Sequence, residues 1–124
     1  MVISIKKIKG LGFAKCVEHA AMTNQLFSFL GVQSTYVENF LVDKDDKDAL
    51  AGHAYNIREG STGPVLVDYM NDITIRLESE EQAKRLMNGQ EAVYDSEKNV
   101  CYGEKSLAKE KFAEENYNKK QRGN

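Results

Sequence analysis

The single proline of the chain, Pro64, closes the run Gly60-Ser61-Thr62-Gly63-Pro64, and this run constrains the fold more than any other feature. Glycine adopts positive φ without steric cost, and proline presets φ near −65°, so the cluster makes a tight turn. Residues 52–58 (Gly-His-Ala-Tyr-Asn-Ile-Arg) precede it and residues 65–68 (Val-Leu-Val-Asp) follow it. Two such runs joined by a turn at about residues 59–63 predict an antiparallel hairpin. The chain must therefore contain an antiparallel sheet.

Other elements follow from periodicity and punctuation. Apolar residues at Ala14, Val17, Ala21, Met22, Leu26, Phe29 and Leu30 recur at helical spacing and predict a helix over 14–31. Gly31 stops it, and Gly10 and Gly12 bend the chain into its start. Residues 2–8 alternate weakly, as a short strand or an arm. Residues 34–42 are β-branched and aromatic and predict a strand, and Asp43 to Asp48 read as a solvated loop. Ile73, Ile75 and Leu77 alternate with polar residues and predict a strand over 73–77. Ser79-Glu80-Glu81-Gln82 has the form of a capping box opening a helix over 80–88. A second hairpin, 91–95 with 99–102, precedes a charged helix over 104–118 that frays into the tail. Strands in a block with a helix before them predict an α+β fold, with the whole of residues 1–124 as one domain.

The net charge of -2 is spread in both signs and provides no basic face for nucleic acid. No apolar run approaches the ~18 residues of a membrane span. The stretch Met1 to Lys7 is too short and polar for a secretory signal, which implies a cytoplasmic location, with export by a signal-less route left open. Cys16 and Cys101 make no disulfide framework and no Cys-x-x-Cys pair, and with two histidines in all, neither a metal nor a cofactor is expected.

Three residues carry potential chemistry. Cys16 falls in the first turn of the predicted helix, where the helix dipole and unpaired amides favour a thiolate and an adjacent oxyanion. A cysteine nucleophile needs a base and an orienting group. His53 begins one predicted strand and Asp68 ends the next, so the hairpin brings them across the ladder on one face. A slip of one residue would separate them.

These residues lie in three ordered blocks. The first is Cys16-Val17-Glu18-His19-Ala20, with Phe29-Leu30-Gly31-Val32 closing the helix. The second is Gly52-His53-Ala54-Tyr55-Asn56, and the third Leu66-Val67-Asp68-Tyr69-Met70-Asn71-Asp72. Across residues 10–72 the chain resembles the transglutaminase-like (papain-like) superfamily, particularly its small bacterial cysteine-peptidase-like members. The resemblance implies that Cys16 is the nucleophile, His53 the general base and then acid, and Asp68 the orienting carboxylate. It implies a catalytic cysteine at a helix N-terminus packed on a sheet that carries His53 and Asp68. The implied reaction is acyl transfer on an amide carbonyl through a thioester, with a protein or peptide as substrate. His19, Tyr55 and Asn56 line the implied site. His19 takes a position that is often aromatic, Tyr55 stands where tryptophan is frequent, and Asn56 and Asn71 are expected as structural hydrogen-bonders.

One departure bears on activity. The 15 residues before Cys16 hold neither the glutamine nor the tryptophan that often supplies an oxyanion donor. The donor must then be a backbone amide or a residue such as Asn24 or Gln25, or be absent, and losing one can cost about 10²–10³ in rate. A non-catalytic binding or scaffold module of the same fold is the alternative. Asp43 to Asp48 lacks the glycine and final glutamate of a calcium loop, and Gly103-Glu104-Lys105-Ser106 lacks the spacing of a phosphate loop. Cys101 reads as a packing residue, and the last helix as a solvated face over the core or a partner-binding helix.

Overall fold

Six strands form one sheet in the order β4-β3-β2-β1-β6-β5, with every neighbouring pair antiparallel. The structure is a computed structural model that describes residues 5–45, 49 and 51–122, with 5–13 as backbone only. In chain order the elements are α1 (Ile5–Phe29), β1 (Ser34–Val42), β2 (His53–Gly60), β3 (Gly63–Asp68), a single 3-10 turn (Tyr69–Asn71), β4 (Ile73–Arg76), α2 (Glu80–Met87), β5 (Ala92–Asp95), β6 (Val100–Gly103) and α3 (Lys105–Gln121). The fold is α+β, as the block of strands after a helix predicts.

The central hairpin forms where the glycine cluster places it. Gly60 pairs with Gly63 around a two-residue loop, Ser61-Thr62. Gly63 has φ +124, and a Cβ on Gly60 would lie 2.8 Å from the Gly63 carbonyl oxygen, so both positions exclude side chains. The other strands lie within a residue or two of their predicted ranges.

Alternation along β2 divides the core. Tyr55 and Ile57 face α2, in a cluster with Val37, Leu66, Leu86 and Tyr102. Ala54 faces α1 and packs on Cys16 and Ala20, while Val65 and Val67 of β3 pack on Phe27. Tyr36 and Phe40 share a parity on β1; Tyr36 packs toward α1, and Phe40 toward the cluster of Cys101, Ala108 and Phe112. By that parity α1 and α3 share one face of the sheet, with α2 on the other. No helix among the described residues is long and apolar enough to cross a membrane.

Three expectations about the helices need correction. First, α1 begins at Ile5, so residues 5–8 are helical rather than a strand, and Gly10 and Gly12 lie inside the helix. Glycine costs only about 1 kcal/mol against alanine in a helix and does not by itself stop one. The remainder of the predicted 2–8 segment lies outside the described residues. Second, the period of α1 is as predicted but the buried face is not. The residues turned inward are Cys16, Ala20, Thr23 and Phe27, while Met22, Leu26, Phe29 and Leu30 are exposed. The helix carries two apolar stripes, and the one with small side chains lets its backbone approach the sheet. Third, α3 runs to Gln121, past the predicted 118, with Lys119 and Lys120 in its last turn, where cations oppose the helix dipole. Residues Asp46 to Asp48 of the acidic loop lie outside the described residues.

The cap of α2 forms at Ser79 as its sequence predicts, with the Gln82 side chain reaching one residue beyond the N-cap amide of a capping box. The Ser79 side chain accepts from the Gln82 amide at 3.0 Å, and the Gln82 side chain reaches back to the Glu78 amide at 2.7 Å. Ser79→Ala should therefore lower unfolding stability by about 1 kcal/mol, read from the urea midpoint, and Ser79→Gly by only a few tenths. Equal losses in both would mean that the side-chain bond is not what holds the helix start.

Candidate active site

The β2–β3 ladder ends at Asn56↔Val67. Continued in register, Asp68 opposes Tyr55, and His53 stands two residues further along the same face. His53 and Asp68 are thus diagonal neighbours on one face, not the directly opposed pair that the hairpin suggests. The diagonal is short enough for contact, and His53 Nε2 lies 2.7 Å from Asp68 Oδ2. Both residues are buried.

The same Asp68 oxygen accepts two more hydrogen bonds. Asn71 Nδ2 donates at 2.8 Å from the 69–71 turn, and the Tyr102 hydroxyl donates at 2.6 Å from β6. Asn71 Nδ2 also lies 3.4 Å from His53 Nε2. The turn ends at Asp72, in the left-handed conformation with φ 55, which aspartate tolerates better than most residues. Burial by itself would push the Asp68 carboxyl up. The hydrogen bonds from His53, Asn71 and Tyr102 and the imidazole charge outweigh it and hold the carboxyl below the ordinary range. Aromatic rings frame the pair: His53 stacks on Tyr55 with centroids 6.2 Å apart, and Tyr102 meets Tyr55 edge-on at 5.0 Å.

Cys16 approaches from α1. Its Sγ accepts from the amide of Ala54 at 3.3 Å, the residue after His53 and beyond the end of the β2–β3 ladder. One bond ties helix and strand in place, Asn56 Nδ2 donating to the Ala20 carbonyl at 3.0 Å, and within α1 the Thr23 hydroxyl donates to the His19 carbonyl at 2.8 Å. The thiol is 1% exposed. Cys16, His19, Ala20, Thr23, Ala54 and Asn56 line a crevice with Asp68, Tyr69 and Met70, and it has no room for a water molecule.

This placement corrects the expectation for Cys16. The cysteine sits about three turns into α1 rather than in its first turn. Its amide belongs to the interior of the helix, where amides bond the carbonyl four residues back, and the dipole effect is confined to the terminal turn. Burial raises the thiol pKa and the Asp68 charge adds to it, against the lowering effect of the Ala54 amide. The thiol is thus pushed above the ordinary cysteine range rather than below it. Asn24 and Gln25 do not line the crevice, and Asn24 is hydrogen-bonded to Ser34 instead. His19 lines it from an exposed position on α1. Tyr102 is the residue that the sequence reading missed, since nothing local separates it from any core aromatic of a strand.

The larger clefts, about 740 Å³ beside β4, β5 and α3 and about 570 Å³ beside α1 and α2, have no cysteine or histidine in their walls. Among the described residues no three His, Cys, Asp or Glu side chains group as metal ligands. Comparison with protein-family models, with curated proteins and with solved structures returned no match to this chain.

Two outcomes follow for titration and thiol chemistry. With its folded pKa depressed, Asp68 contributes stability that is fully present above the unfolded value of about 3.9 and lost as pH falls through the lower folded value. Unfolding free energy measured from pH 7 into that acid window should drop more steeply in the wild type than in Asp68→Asn; parallel curves would remove Asp68 from the account. Alkylation of Cys16, mapped by mass spectrometry, should accelerate only above the ordinary thiol range. Cys101, whose thiol burial pushes up to about 12, should react only on unfolding.

Proposed function

We propose that Cys16, His53 and Asp68 form the catalytic triad of a transglutaminase-like acyl-transfer enzyme acting on an amide carbonyl. The observation that supports this reading is the buried His53–Asp68 contact, directly beside an amide that holds the Cys16 sulfur. The ordered match of the three sequence blocks supports it independently.

His53 shares a face of β2 with Tyr55, and the Cys16 sulfur lies on the Ala54 face, so proton exchange requires the His53 ring to turn toward the thiol; with Nε2 committed to Asp68, Nδ1 is the nitrogen left for it. Because burial keeps the thiol protonated, the proton leaves for His53 as sulfur attacks the carbonyl carbon, rather than from a preformed ion pair. The ionised Asp68 stabilises the resulting imidazolium. The tetrahedral oxyanion collapses to a thioester as the imidazolium protonates the departing amine. Water or a second amine, deprotonated by His53, then attacks the thioester carbonyl and restores the thiol. Water gives a peptidase or glutamine deamidase, and an amine gives a cross-link. We favour hydrolysis, because the small family members resembled are peptidase-like. His19, on the crevice wall, is the side chain available as oxyanion donor. Tyr69 and Met70, which are 49% and 41% exposed, line the crevice and must shift to admit a substrate.

A second reading, a binding or scaffold module of this fold, draws support from the closed crevice and the raised thiol pKa. The deciding experiment offers glutamine peptides and unfolded protein substrates to the wild type, Cys16→Ala, His53→Ala and Asp68→Asn. Ammonia release, peptide cleavage and a +1 Da change are the readouts. The triad predicts no turnover with Cys16→Ala and a loss of about 10²–10⁴ in kcat with His53→Ala. Turnover equal in all four proteins would sink the triad. Absence of turnover in the wild type, with a slow Cys16 thiol unaffected by His53→Ala, would favour the module.

A further inference from the structure

We infer that Tyr102 is a positioning residue of this site, its hydroxyl locking the Asp68 carboxylate in the orientation that meets His53. The inference rests on the triad reading for its catalytic consequence, but its geometry stands apart from it.

Tyr102 is 0% exposed, and its hydroxyl lies 2.6 Å from Asp68 Oδ2, within the short range of charge-assisted O–H···O⁻ bonds. Its ring lies 6.0 Å from the His53 ring. Packing does not require the hydroxyl, since phenylalanine would fill the same place among Val37, Tyr55 and Leu86. A buried phenol needs a partner, and here the partner is the carboxylate that contacts the histidine. Asn71 binds the same oxygen from a short turn, whereas Tyr102 binds it from β6, a strand anchored on β1 through Leu41↔Tyr102. Of the two donors, Tyr102 is held by the sheet itself. It also comes from outside residues 10–72, so the hairpin of β5 and β6 completes a site whose other members precede it in the chain.

The titratable groups around Asp68 are His53 and Tyr55 from β2, Cys16 from α1 and Tyr102 from β6. Removing the Tyr102 hydroxyl takes one donor from Oδ2. The oxygen then binds a proton more readily, so Asp68 should titrate at higher pH.

The test uses the full chain, isotope-labelled, with carboxyl and imidazole titrations followed by NMR in the wild type, Tyr102→Phe and Tyr94→Phe. Tyr94 donates its hydroxyl to Asn99 at 2.7 Å, away from the site, and controls for loss of a phenol elsewhere in the sheet. An upward shift of Asp68 in Tyr102→Phe, with Tyr94→Phe matching the wild type, is expected. Titrations in Tyr102→Phe that superimpose on the wild type would overturn the inference. Should Tyr102→Phe fail to fold, the wild type decides: the Tyr102 ring resonances must move with the Asp68 titration, and flat resonances overturn the inference. Where the wild type turns over an amide, Tyr102→Phe should lower kcat about tenfold with KM unchanged. A wild type without turnover removes the acyl-transfer reading, while the titrations still decide the role of Tyr102.

Discussion

A buried carboxylate is costly unless donors surround it, and Asp68 is the point at which this chain meets that cost. One of its oxygens collects an imidazole from β2, an amide from the 69–71 turn and a phenol from β6. Strands far apart in sequence are thereby held to one atom. The sheet order makes this possible, because β1 stands between β2 and β6 and brings Tyr102 within reach of the end of β3. Replacing the carboxylate by an apolar group would strand two buried donors at once, His53 and Tyr102, each at about 1–3 kcal/mol, while the exposed Asn71 could turn to water.

The second organising contact is the close approach of α1 to β2. Cys16, Ala20 and Ala54 are small, and where they meet the helix backbone comes near enough for Asn56 to bond the Ala20 carbonyl. That closeness puts the sulfur against the Ala54 amide and also excludes water from around it. One packing arrangement therefore both positions the thiol and raises its pKa. A thiol at a helix terminus would be favoured as thiolate; this one, buried away from any terminus, is pushed the other way.

Much of the architecture was legible because local chemistry dictates it. Gly60 and Gly63 specify the hairpin, Ser79 and Gln82 open α2, and the β-branched run from Ser34 to Val42 is a strand over the predicted range. His53 and Asp68 were legible as neighbours because a hairpin converts a turn position into proximity. Their diagonal offset was not, since it depends on where the two-residue loop falls, and the predicted turn left that open. The face of α1 was illegible for a different reason: two apolar stripes compete, and only the fit of small side chains against the sheet chooses between them. The start of α1 was misread because glycines weaken a helix without ending it, and the expected chemistry of Cys16 was lost with it. Tyr102 was beyond reach of any local pattern, since its meeting with Asp68 requires the β1–β6 pairing.

The 69–71 turn does two things with three residues. Tyr69 and Met70 line the crevice that holds the thiol, and Asn71 holds the carboxylate. A displacement large enough to uncover sulfur pulls on the bond that steadies Asp68, so access and alignment draw on the same few backbone torsions. On the acyl-transfer reading, turnover would be the product of an opening equilibrium and the reactivity of the opened state, and each 1.4 kcal/mol required for opening would remove about tenfold. An occupant that props the turn open while donating its own hydrogen bond to Asp68 would offset that penalty, so that the ligand itself would complete the site.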